Sequence, residues 1–330
     1  MILDPHGRRL EQIFTPGDLA RLKSLVDVVW GRNEPMPQEE VDSCSDEVIA
    51  IVSGGWRYGD VDRFPVLRAI LEVSGSFPSP DVLNYEQCFS RKIRVLSCAP
   101  AFGPAVAEMA LGMAIAASRR LVWNHEAFRM GRENWSHMKT GDTFTLYGKP
   151  VGFIGFGGLA RSLRRLLEPF GCPLMVYDPW MTDSYLRGQG VNPVDLETLL
   201  SSSRLIFVLA VPTAENRALL DRAMLGRISK DSVLLLMSRS HLVDFEALTE
   251  MVLEGRFRLG VDVFPEEPLP GDHPIRGAGG VILSSHRAGA IGEAFHNIGR
   301  IAVNDLEAIC RGLEPREMQL ARPEFIRMRG

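Results

Sequence analysis

One glycine-rich run, residues 149–160, limits the fold of this chain more than any other feature. Its apolar segment Val151–Ile154 is typical of a strand, and the pattern Gly155-x-Gly157-x-x-Ala160 follows at once. The leucines after the turn fall on one helical face: Leu159, Leu163, Leu166 and Leu167. Glycines permit a sharp exit from the strand and close approach of the backbone, while the first amides of a helix attract an anion. The run therefore predicts a strand, turn and helix whose turn binds a pair of phosphates.

An acidic residue, Asp178, ends the next apolar segment, Leu174–Tyr177, about twenty residues beyond the glycine turn. A carboxylate there accepts hydrogen bonds from both hydroxyls of an adenosine ribose and repels a 2′-phosphate. Residues 179–183 contain no Arg or Lys that would bind such a phosphate. The pattern therefore favours NAD over NADP. The alternative is that Asp178 merely opens an Asp-Pro turn.

Apolar segments alternate with helical patterns from residue 151 to residue 283, as in a doubly wound α/β domain. The segments after Leu174–Tyr177 are residues 205–210, 233–237, 260–263 and 281–283. A smaller set lies at residues 48–52, 67–73 and 93–96, each followed by small or turn-forming residues. The sequence therefore predicts the α/β class, with two Rossmann-like or flavodoxin-like parallel-sheet domains and a ligand cleft between them.

Two long helical patterns, residues 105–119 and 294–311, adjoin these sets of strands. We expect the first to carry the chain into the second domain and the second to return it. The predicted domains are therefore residues 1–103 plus 289–330, which bind the substrate, and residues 104–288, which bind NAD.

Three further segments follow strands of the second domain, and each carries one residue suited to catalysis. They are residues 236–244 with Arg239, residues 261–269 with Glu267, and residues 282–289 with His286. With the glycine turn, these segments resemble the D-isomer-specific 2-hydroxyacid dehydrogenase family, from about residue 105 to residue 305 and more loosely before it. The resemblance implies that Arg239 anchors the carboxylate and carbonyl of a 2-oxo acid, that His286 is the acid/base and that Glu267 is its partner.

The chemistry of a 2-oxo acid suits these residue types. A guanidinium binds a carboxylate in a planar fork and polarises the neighbouring carbonyl without losing its charge. Reduction at C2 leaves an alkoxide that needs a proton, which an imidazolium gives near neutral pH and takes back in the reverse direction. A carboxylate beside the ring favours the protonated imidazole and fixes its tautomer. The implied reaction is hydride transfer that interconverts a 2-oxo acid and a D-2-hydroxy acid with NAD(H).

The same resemblance implies the contacts of both ligands. The residues expected at the cofactor are Gly155, Gly157, Gly158, Leu159, Asp178, Val211, Pro212, Met237, Ser238, Arg239, Asp262, His286, Ala288 and Gly289. Those expected at the substrate are Arg239, His286, Ser74, Gly75 and Ser76. In the last three, small residues at a strand end can turn several backbone N–H groups toward a carboxylate. The alternative for them is an ordinary glycine turn.

Three positions depart from the pattern of the family. Leu236 stands where the family has Asn, Ser240 where it has Gly, and Ser285 where it has Pro. The anchor and the proton donor are retained, so the altered flanks indicate an atypical substrate pocket. They also leave open a second function, an NAD-responsive binding protein that uses the scaffold for partner recognition, as in the corepressors that resemble this family.

Composition argues against several other classes of protein. The 330 residues carry 37 basic and 41 acidic side chains, and a net charge of −4 without a dense basic block disfavours nucleic acid or an anionic membrane as the partner. Five scattered cysteines lack metal-ligand spacing, so no metal is expected. Residues 109–117 are about half the length that spans a bilayer, and the N-terminus lacks the pattern of a secretory signal. We therefore expect a cytoplasmic protein, and the family implies a homodimer. Structural roles are expected for the other histidines, including His137 and His241.

Overall fold

The structure, a computed structural model, describes residues 1–135, 141 and 143–327. The chain divides into two compact units. Unit 1 comprises Met1–Gly103 and Ala290–Gly330, and unit 2 comprises Pro104–Gly289. Each unit is built on one sheet, parallel throughout in unit 2 and parallel except for one edge strand in unit 1. The predicted α/β class with two parallel-sheet domains is confirmed.

Unit 2 contains, within its described residues, a seven-stranded parallel sheet. Its strands, numbered along the whole chain, are β6 (Val151–Ile154), β7 (Leu174–Tyr177), β8 (Asn192–Pro193), β9 (Leu205–Val208), β10 (Val233–Leu236), β11 (Arg258–Val261) and β12 (Val281–Leu283). Their order is β12-β11-β10-β9-β6-β7-β8. From β6 the chain adds strands outward on one side, and from β9 it adds them on the other side, so the strand order reverses between β6 and β9. Open α/β sheets bind ligands at such a point, beyond the carboxyl ends of their strands.

Helices contribute to the cores on both faces of this sheet. They are α5 (Gly103–Ser118), α7 (Gly158–Leu167), α8 (Asp183–Gly188), α9 (Leu196–Ser202), α10 (Arg222–Leu225) and α11 (Phe245–Leu253). The helix between the first two of these, α6 (Leu121–Arg129), has no buried residue. The strands are apolar throughout because successive side chains enter opposite cores. Phe153 and Phe207 share a core with α5 and α7, whereas Ile154 and Val208 share the other core with α9, α10 and α11.

The segment Ala99–Ser118, which includes α5, is long and apolar enough to cross a membrane by length and composition. Four of its alanines are core residues, however: Ala107, Ala110, Ala114 and Ala117 are buried within unit 2. Met113 is buried in the same core. One face of α5 is therefore apolar because it packs inside the unit.

Unit 1 contains a six-stranded sheet in the part of the chain that the structure describes. Its strands are β1 (Ile2–Asp4), β2 (Trp30–Gly31), β3 (Ala50–Ser53), β4 (Ala69–Glu72), β5 (Arg94–Ser97) and β13 (Gln319–Leu320). The order is β13-β5-β4-β3-β1-β2, with β13 antiparallel at one edge. The five parallel strands therefore follow the flavodoxin-like order 2-1-3-4-5.

Unit 1 also has a core on each face of its sheet. Its helices are α1 (Leu10–Ile13), α2 (Pro16–Leu25), α3 (Gln38–Cys44), α4 (Tyr85–Ser90), α12 (Gly292–Cys310) and α13 (Pro323–Arg327). Leu3 and Val52 pack in a core with α12, whereas Ile2 and Ile51 pack in a core with Trp30. The same alternation that shapes unit 2 therefore shapes unit 1, and it leaves polar side chains to the ends of the strands.

Candidate functional site

The glycine turn joins β6 to α7 at the point where the strand order reverses. Gly155 has a positive φ of 91°, and a Cβ added to it would lie 2.6 Å from the Cα of Ala210. Only glycine fits there, because a side chain meets both the strained backbone and a neighbouring strand end. No heavy atom of the other described residues lies within 4 Å of the Cβ positions of Gly157 and Gly158, at the first turn of α7. The turn therefore presents an open helix N-terminus, as the bound phosphates of the sequence prediction require.

Asp178 follows β7 and fixes the glycine turn. Its Oδ2 accepts a hydrogen bond from the backbone N–H of Phe156 at 2.8 Å. Its Oδ1 accepts one from the backbone N–H of Trp180 at 3.0 Å. This second bond forms the Asp-Pro turn that is the alternative explanation for Asp178. A carboxylate offers about four lone-pair sites, so these two bonds leave capacity for ribose hydroxyls. Asp178 is thus a structural link whose position also suits the predicted ribose contact.

The loops after β9 and β10 are joined to each other by hydrogen bonds. The Nε2 atom of His241 lies 2.8 Å from the carbonyl oxygen of Thr213. The amide of Asn216 donates to the carbonyl oxygen of Val211 at 2.8 Å, which holds the exposed Val211 and the adjoining Pro212 in place. His241, expected to be structural, therefore links two loops that the sequence assigns to the cofactor.

The end of β10 places Arg239 at the surface of unit 2. Leu236 and Met237 are buried in opposite cores, and the Oγ atom of Ser238 is buried with no hydrogen-bond partner in residues 1–135, 141 and 143–327. The Arg239 side chain is exposed, and its Nη1 donates to the carbonyl oxygen of Ser238 at 2.7 Å. Since Leu236 is a core residue, the departure from Asn at that position changes the sheet interior and leaves the guanidinium available.

Glu267 and His286, from the loops after β11 and β12, form a direct pair. The Nδ1 atom of His286 lies 2.7 Å from Oε2 of Glu267. The other carboxylate oxygen accepts a hydrogen bond from the backbone N–H of Phe264 at 3.0 Å. The exposed fraction is 44% for the His286 side chain and 37% for that of Glu267, so the pair is held by the protein and still open to solvent. Such a pair can exchange a proton with a ligand.

The surroundings of Glu267 favour its charged form. Burial raises the pKa of this carboxyl, but the hydrogen bonds from His286 and Phe264, together with the charges of His286 and Arg239, outweigh that effect. The pKa of Glu267 therefore lies below its ordinary value. The charge of Arg239 thus acts on the pair of Glu267 and His286. All three predicted catalytic residues therefore interact in one part of unit 2.

Asp262, the first residue after β11, holds the backbone of the His286 loop. Its Oδ1 accepts from the N–H of Arg287 at 2.9 Å and its Oδ2 from the N–H of Ala288 at 3.1 Å. The N–H of His286 donates to the carbonyl oxygen of Asp262 at 2.8 Å. These three bonds maintain the left-handed backbone of His286, whose φ is 54°. Such a conformation is costly outside glycine, so the buried Asp262 has a structural function that the sequence did not reveal.

The predicted substrate loop lies in unit 1, directly after β4. Ser74 is exposed, and Gly75 has a positive φ of 103°. A Cβ added to Gly75 would lie 3.0 Å from Cε2 of Phe102. The loop is therefore a glycine turn by geometry, and a role in substrate binding stays a prediction.

No group of three or more metal-binding side chains occurs among the described residues. Cys44, Cys88, Cys98, Cys172 and Cys310 are all free thiols. His137 lies outside the described residues.

A sheet in the Rossmann order, a glycine turn at its switch point and an Arg, Glu and His set beyond its carboxyl ends define a dinucleotide-dependent dehydrogenase. The family comparison agrees, since residues 111–288 match the family model described as "D-isomer specific 2-hydroxyacid dehydrogenase, NAD binding domain". The match covers more than half of the chain. This protein belongs to the D-isomer specific 2-hydroxyacid dehydrogenase family, and its cofactor is NAD.

Individual relatives support the same assignment over most of the chain. The chain is 28% identical over 312 residues to a glyoxylate reductase from Thermofilum pendens, covering 91% of this chain and 90% of that protein. It is 30% identical over 228 residues to a D-lactate dehydrogenase from Escherichia coli, covering 64% and 68% of the two chains. The solved structure of a phosphoglycerate oxidoreductase from Rhizobium etli has 34% identity and a TM-score of 0.86, with 97% and 98% coverage. The chain is therefore an NAD-dependent dehydrogenase by family and by fold.

The residues of unit 2 fit this cofactor. The open space at Gly157 and Gly158 admits a pyrophosphate to the N-terminus of α7, and the remaining lone pairs of Asp178 suit the ribose. The buried Oγ of Ser238 has no partner in the described part of the chain, so it can hydrogen-bond a group of the ligand. When bound, NADH supplies the hydride of the reaction.

Proposed function

We propose that this protein interconverts a 2-oxo acid and a D-2-hydroxy acid, with Arg239, Glu267 and His286 as its catalytic residues. The observation that carries the proposal is the 2.7 Å contact between Nδ1 of His286 and Oε2 of Glu267. Because Nδ1 is engaged by the carboxylate, Nε2 is the ring nitrogen that exchanges a proton with the substrate oxygen. The bonds to Asp262 hold the ring in position for that exchange.

Each residue has one function in the proposed reduction. Arg239 binds the carboxylate of the 2-oxo acid and polarises the adjoining carbonyl, since its charge persists at any working pH. His286 donates a proton to the oxygen at C2 as the carbonyl is reduced, and it accepts that proton in the oxidation. Glu267 compensates the charge of the protonated ring and fixes its tautomer, and its own lowered pKa keeps it charged.

The substrate class follows from the names of the relatives and from the chemistry of the anchor. Proteins similar to this chain are named glyoxylate reductase, hydroxypyruvate reductase and D-3-phosphoglycerate dehydrogenase. We infer a small 2-oxo acid as the substrate. The predicted assignment of residues 1–103 plus 289–330 to the substrate and of 104–288 to NAD is part of this proposal.

We propose that the protein forms a homodimer through the region of residues 105–119 and its neighbours. Exposed apolar side chains next to this region support such an interface: Leu121, Phe128, Met130 and Trp135. We also keep the cytoplasm as the proposed location.

Loss of absorbance at 340 nm, with purified protein, NADH and a panel of 2-oxo acids, tests the proposed reaction. The panel contains glyoxylate, hydroxypyruvate, pyruvate and bulkier 2-oxo acids. We expect His286→Ala to lower kcat about a thousandfold, because it removes the proton donor, while the Kd for NADH changes less than about twofold. His296→Ala is the matched control, since that histidine is exposed on α12.

Two results would contradict the proposal. Full activity of His286→Ala would exclude the ring as the proton donor. Tight NADH binding without turnover of any acid would instead favour the NAD-responsive binding protein.

A further inference from the structure

Glu72 is a buried carboxylic acid at the end of β4, outside the catalytic set. Only 1% of its surface is exposed. Its Oε1 accepts a hydrogen bond from the backbone N–H of Ser74 at 2.9 Å. Glu72 therefore fixes one side of the first residue of the predicted substrate loop.

Arg8 approaches the same residue from the chain that follows β1. Its Nη2 donates to the carbonyl oxygen of Ser74 at 3.2 Å. Its guanidinium carbon lies 5.2 Å from the ring centroid of Phe102 and 4.8 Å from that of Phe295. Contacts with aromatic faces stabilise a guanidinium and restrict its orientation. Arg8 and Glu72 thus hold both peptide groups of Ser74, one by its N–H and the other by its carbonyl.

The Phe102 ring connects this pair to Gly75. The ring lies beside Arg8, and it also occupies the space that a Cβ of Gly75 would need, at 3.0 Å. With its φ of 103°, Gly75 turns the chain directly after the fixed Ser74. The direction of the next N–H groups therefore depends on Arg8, Glu72 and Phe102.

The N–H groups of Gly75 and Ser76 have weak acceptors within unit 1. The backbone of Gly75 faces the thiol of Cys98, and burial raises the pKa of that thiol to about 12, so it remains neutral. A neutral thiol is a weak acceptor. The N–H of Ser76 lies 3.5 Å from Oγ of Ser74, the long limit of a hydrogen bond. The Gly75 N–H faces a buried atom, so the Ser76 N–H is the one left for a ligand, and a carboxylate would be a much stronger acceptor for it.

Glu72 and Arg8 each have one buried polar atom without a hydrogen bond among the described residues. These atoms are Oε2 of Glu72 and Nη1 of Arg8. Burial raises the pKa of Glu72 to about 7, against the hydrogen bonds from Ser74 and Val73 and the charge of Arg8. Keeping such groups inside a protein is costly, and a cost of this kind is often associated with a functional loop.

We propose that Arg8 and Glu72 are positioning residues for the carboxylate of the substrate. By holding the two peptide groups of Ser74, they direct the N–H group of Ser76 toward the bound 2-oxo acid. This inference rests on the proposed function, because it concerns binding of the same substrate.

The test compares steady-state kinetics of the wild type with those of Arg8→Met and Glu72→Ala, with NADH saturating. We expect KM for the 2-oxo acid to rise about tenfold, since the N–H donor of Ser76 loses its direction, while kcat stays within about threefold. Oxamate, a stable analogue of a 2-oxo acid, should bind the complex with NADH about tenfold more weakly. The Kd for NADH should not change, because its predicted contacts lie in unit 2.

Conservative variants separate positioning from folding. Glu72→Gln keeps an oxygen that accepts from Ser74, and Arg8→Lys keeps a donor to its carbonyl, so both should retain a KM closer to that of the wild type. Arg9→Met is the matched control, because the neighbouring Arg9 is exposed and pairs with Glu11. Its KM should equal that of the wild type.

The outcomes distinguish this inference from the proposed function. A wild type that reduces no 2-oxo acid overturns the proposed function, and the inference falls with it. An active wild type whose KM is unchanged in Arg8→Met and Glu72→Ala overturns the inference alone. Parallel losses of kcat, NADH affinity and melting temperature would assign the pair to folding and would also overturn it.

Discussion

Residues that lie well before His286 in the sequence hold this side chain and its backbone. Glu267 positions the His286 ring, and Asp262 positions its backbone. Both acids follow β11, whereas His286 follows β12, so the parallel pairing of these strands brings them together. A change of one acid should therefore affect the histidine through geometry as well as through charge.

A buried acid in unit 1 gives a pH dependence that stability measurements can detect. The pKa of Glu72 is about 7 in the folded protein, against an ordinary value of 4.5. The folded state then binds more protons than the unfolded state between these values, so the contribution to stability is complete below pH 4.5 and is lost as pH rises through 7. Glu72→Gln removes this dependence. The free energy of unfolding of the variant, relative to wild type, should increase by about 2 kcal/mol between pH 5 and pH 8.

Chemical denaturation of both proteins across this pH range measures the difference. Glu86→Gln is a suitable control, because Glu86 is exposed on α4 and its replacement should give no such trend. A constant difference between Glu72→Gln and wild type at every pH would show that Glu72 is already charged at pH 5.

At the scale of elements, the turn between β6 and α7 contains glycines with separate functions. Glycine is needed at position 155 because its φ is positive and because a Cβ there would collide with Ala210. At Gly157, by contrast, a Cβ would meet no atom of the described residues. We expect Gly155→Ala to lower the melting temperature, because the added Cβ meets neighbouring backbone at 2.6 Å. Gly157→Val should leave the melting temperature nearly unchanged and weaken NADH at least about tenfold, since its side chain fills the space that we propose for the pyrophosphate of the bound NADH.

Calorimetric melting and fluorescence titration with NADH measure the two effects separately. Gly188→Val, in α8 and also without close neighbours, controls for the change of residue type. If Gly157→Val binds NADH like the wild type, the open space at that position is not the phosphate site.

The strands that sequence predicts best are those with clear ends. Val151–Ile154 and Leu174–Tyr177 have the predicted bounds, because Gly155 and Asp178 interrupt the apolar runs. The third apolar run was predicted to reach residue 210, yet β9 ends at Val208. Leu209 and Ala210 are apolar because they are buried beyond the strand end. The sequence does not predict the short strands β1, β2, β8 and β13, since two or three residues give no periodicity.

The sequence predicts the residues of the candidate site only where they stand in a local motif. Arg239, Glu267 and His286 stand in recognisable segments, and the contact between the last two exists in the structure. The link from Asp262 to the loop of His286 spans about 25 residues and depends on strand pairing, so no local pattern indicates it. The contacts of Arg8 with Ser74 likewise join segments 66 positions apart. Long-range hydrogen bonds of this kind become visible only after folding.

At the scale of the whole molecule, unit 1 and unit 2 are each stabilised by two cores of their own. All cofactor contacts argued from the glycine turn and Asp178 lie in unit 2. A ligand stabilises the part of a protein that binds it, by an amount set by its concentration relative to Kd. We therefore expect bound NADH to raise the free energy of opening of unit 2.

Native-state hydrogen exchange can measure this effect strand by strand. With NADH at a hundred times its Kd, the free energy of opening for amides of β6, β9 and β10 should rise by about 2.7 kcal/mol. Amides of β3 and β4, in the sheet of unit 1, should change much less, because their cores contain no cofactor contact. An equal gain in both sheets would show that the two units open as one cooperative structure. Loss of the gain in Gly157→Val would trace the stabilisation to the glycine turn.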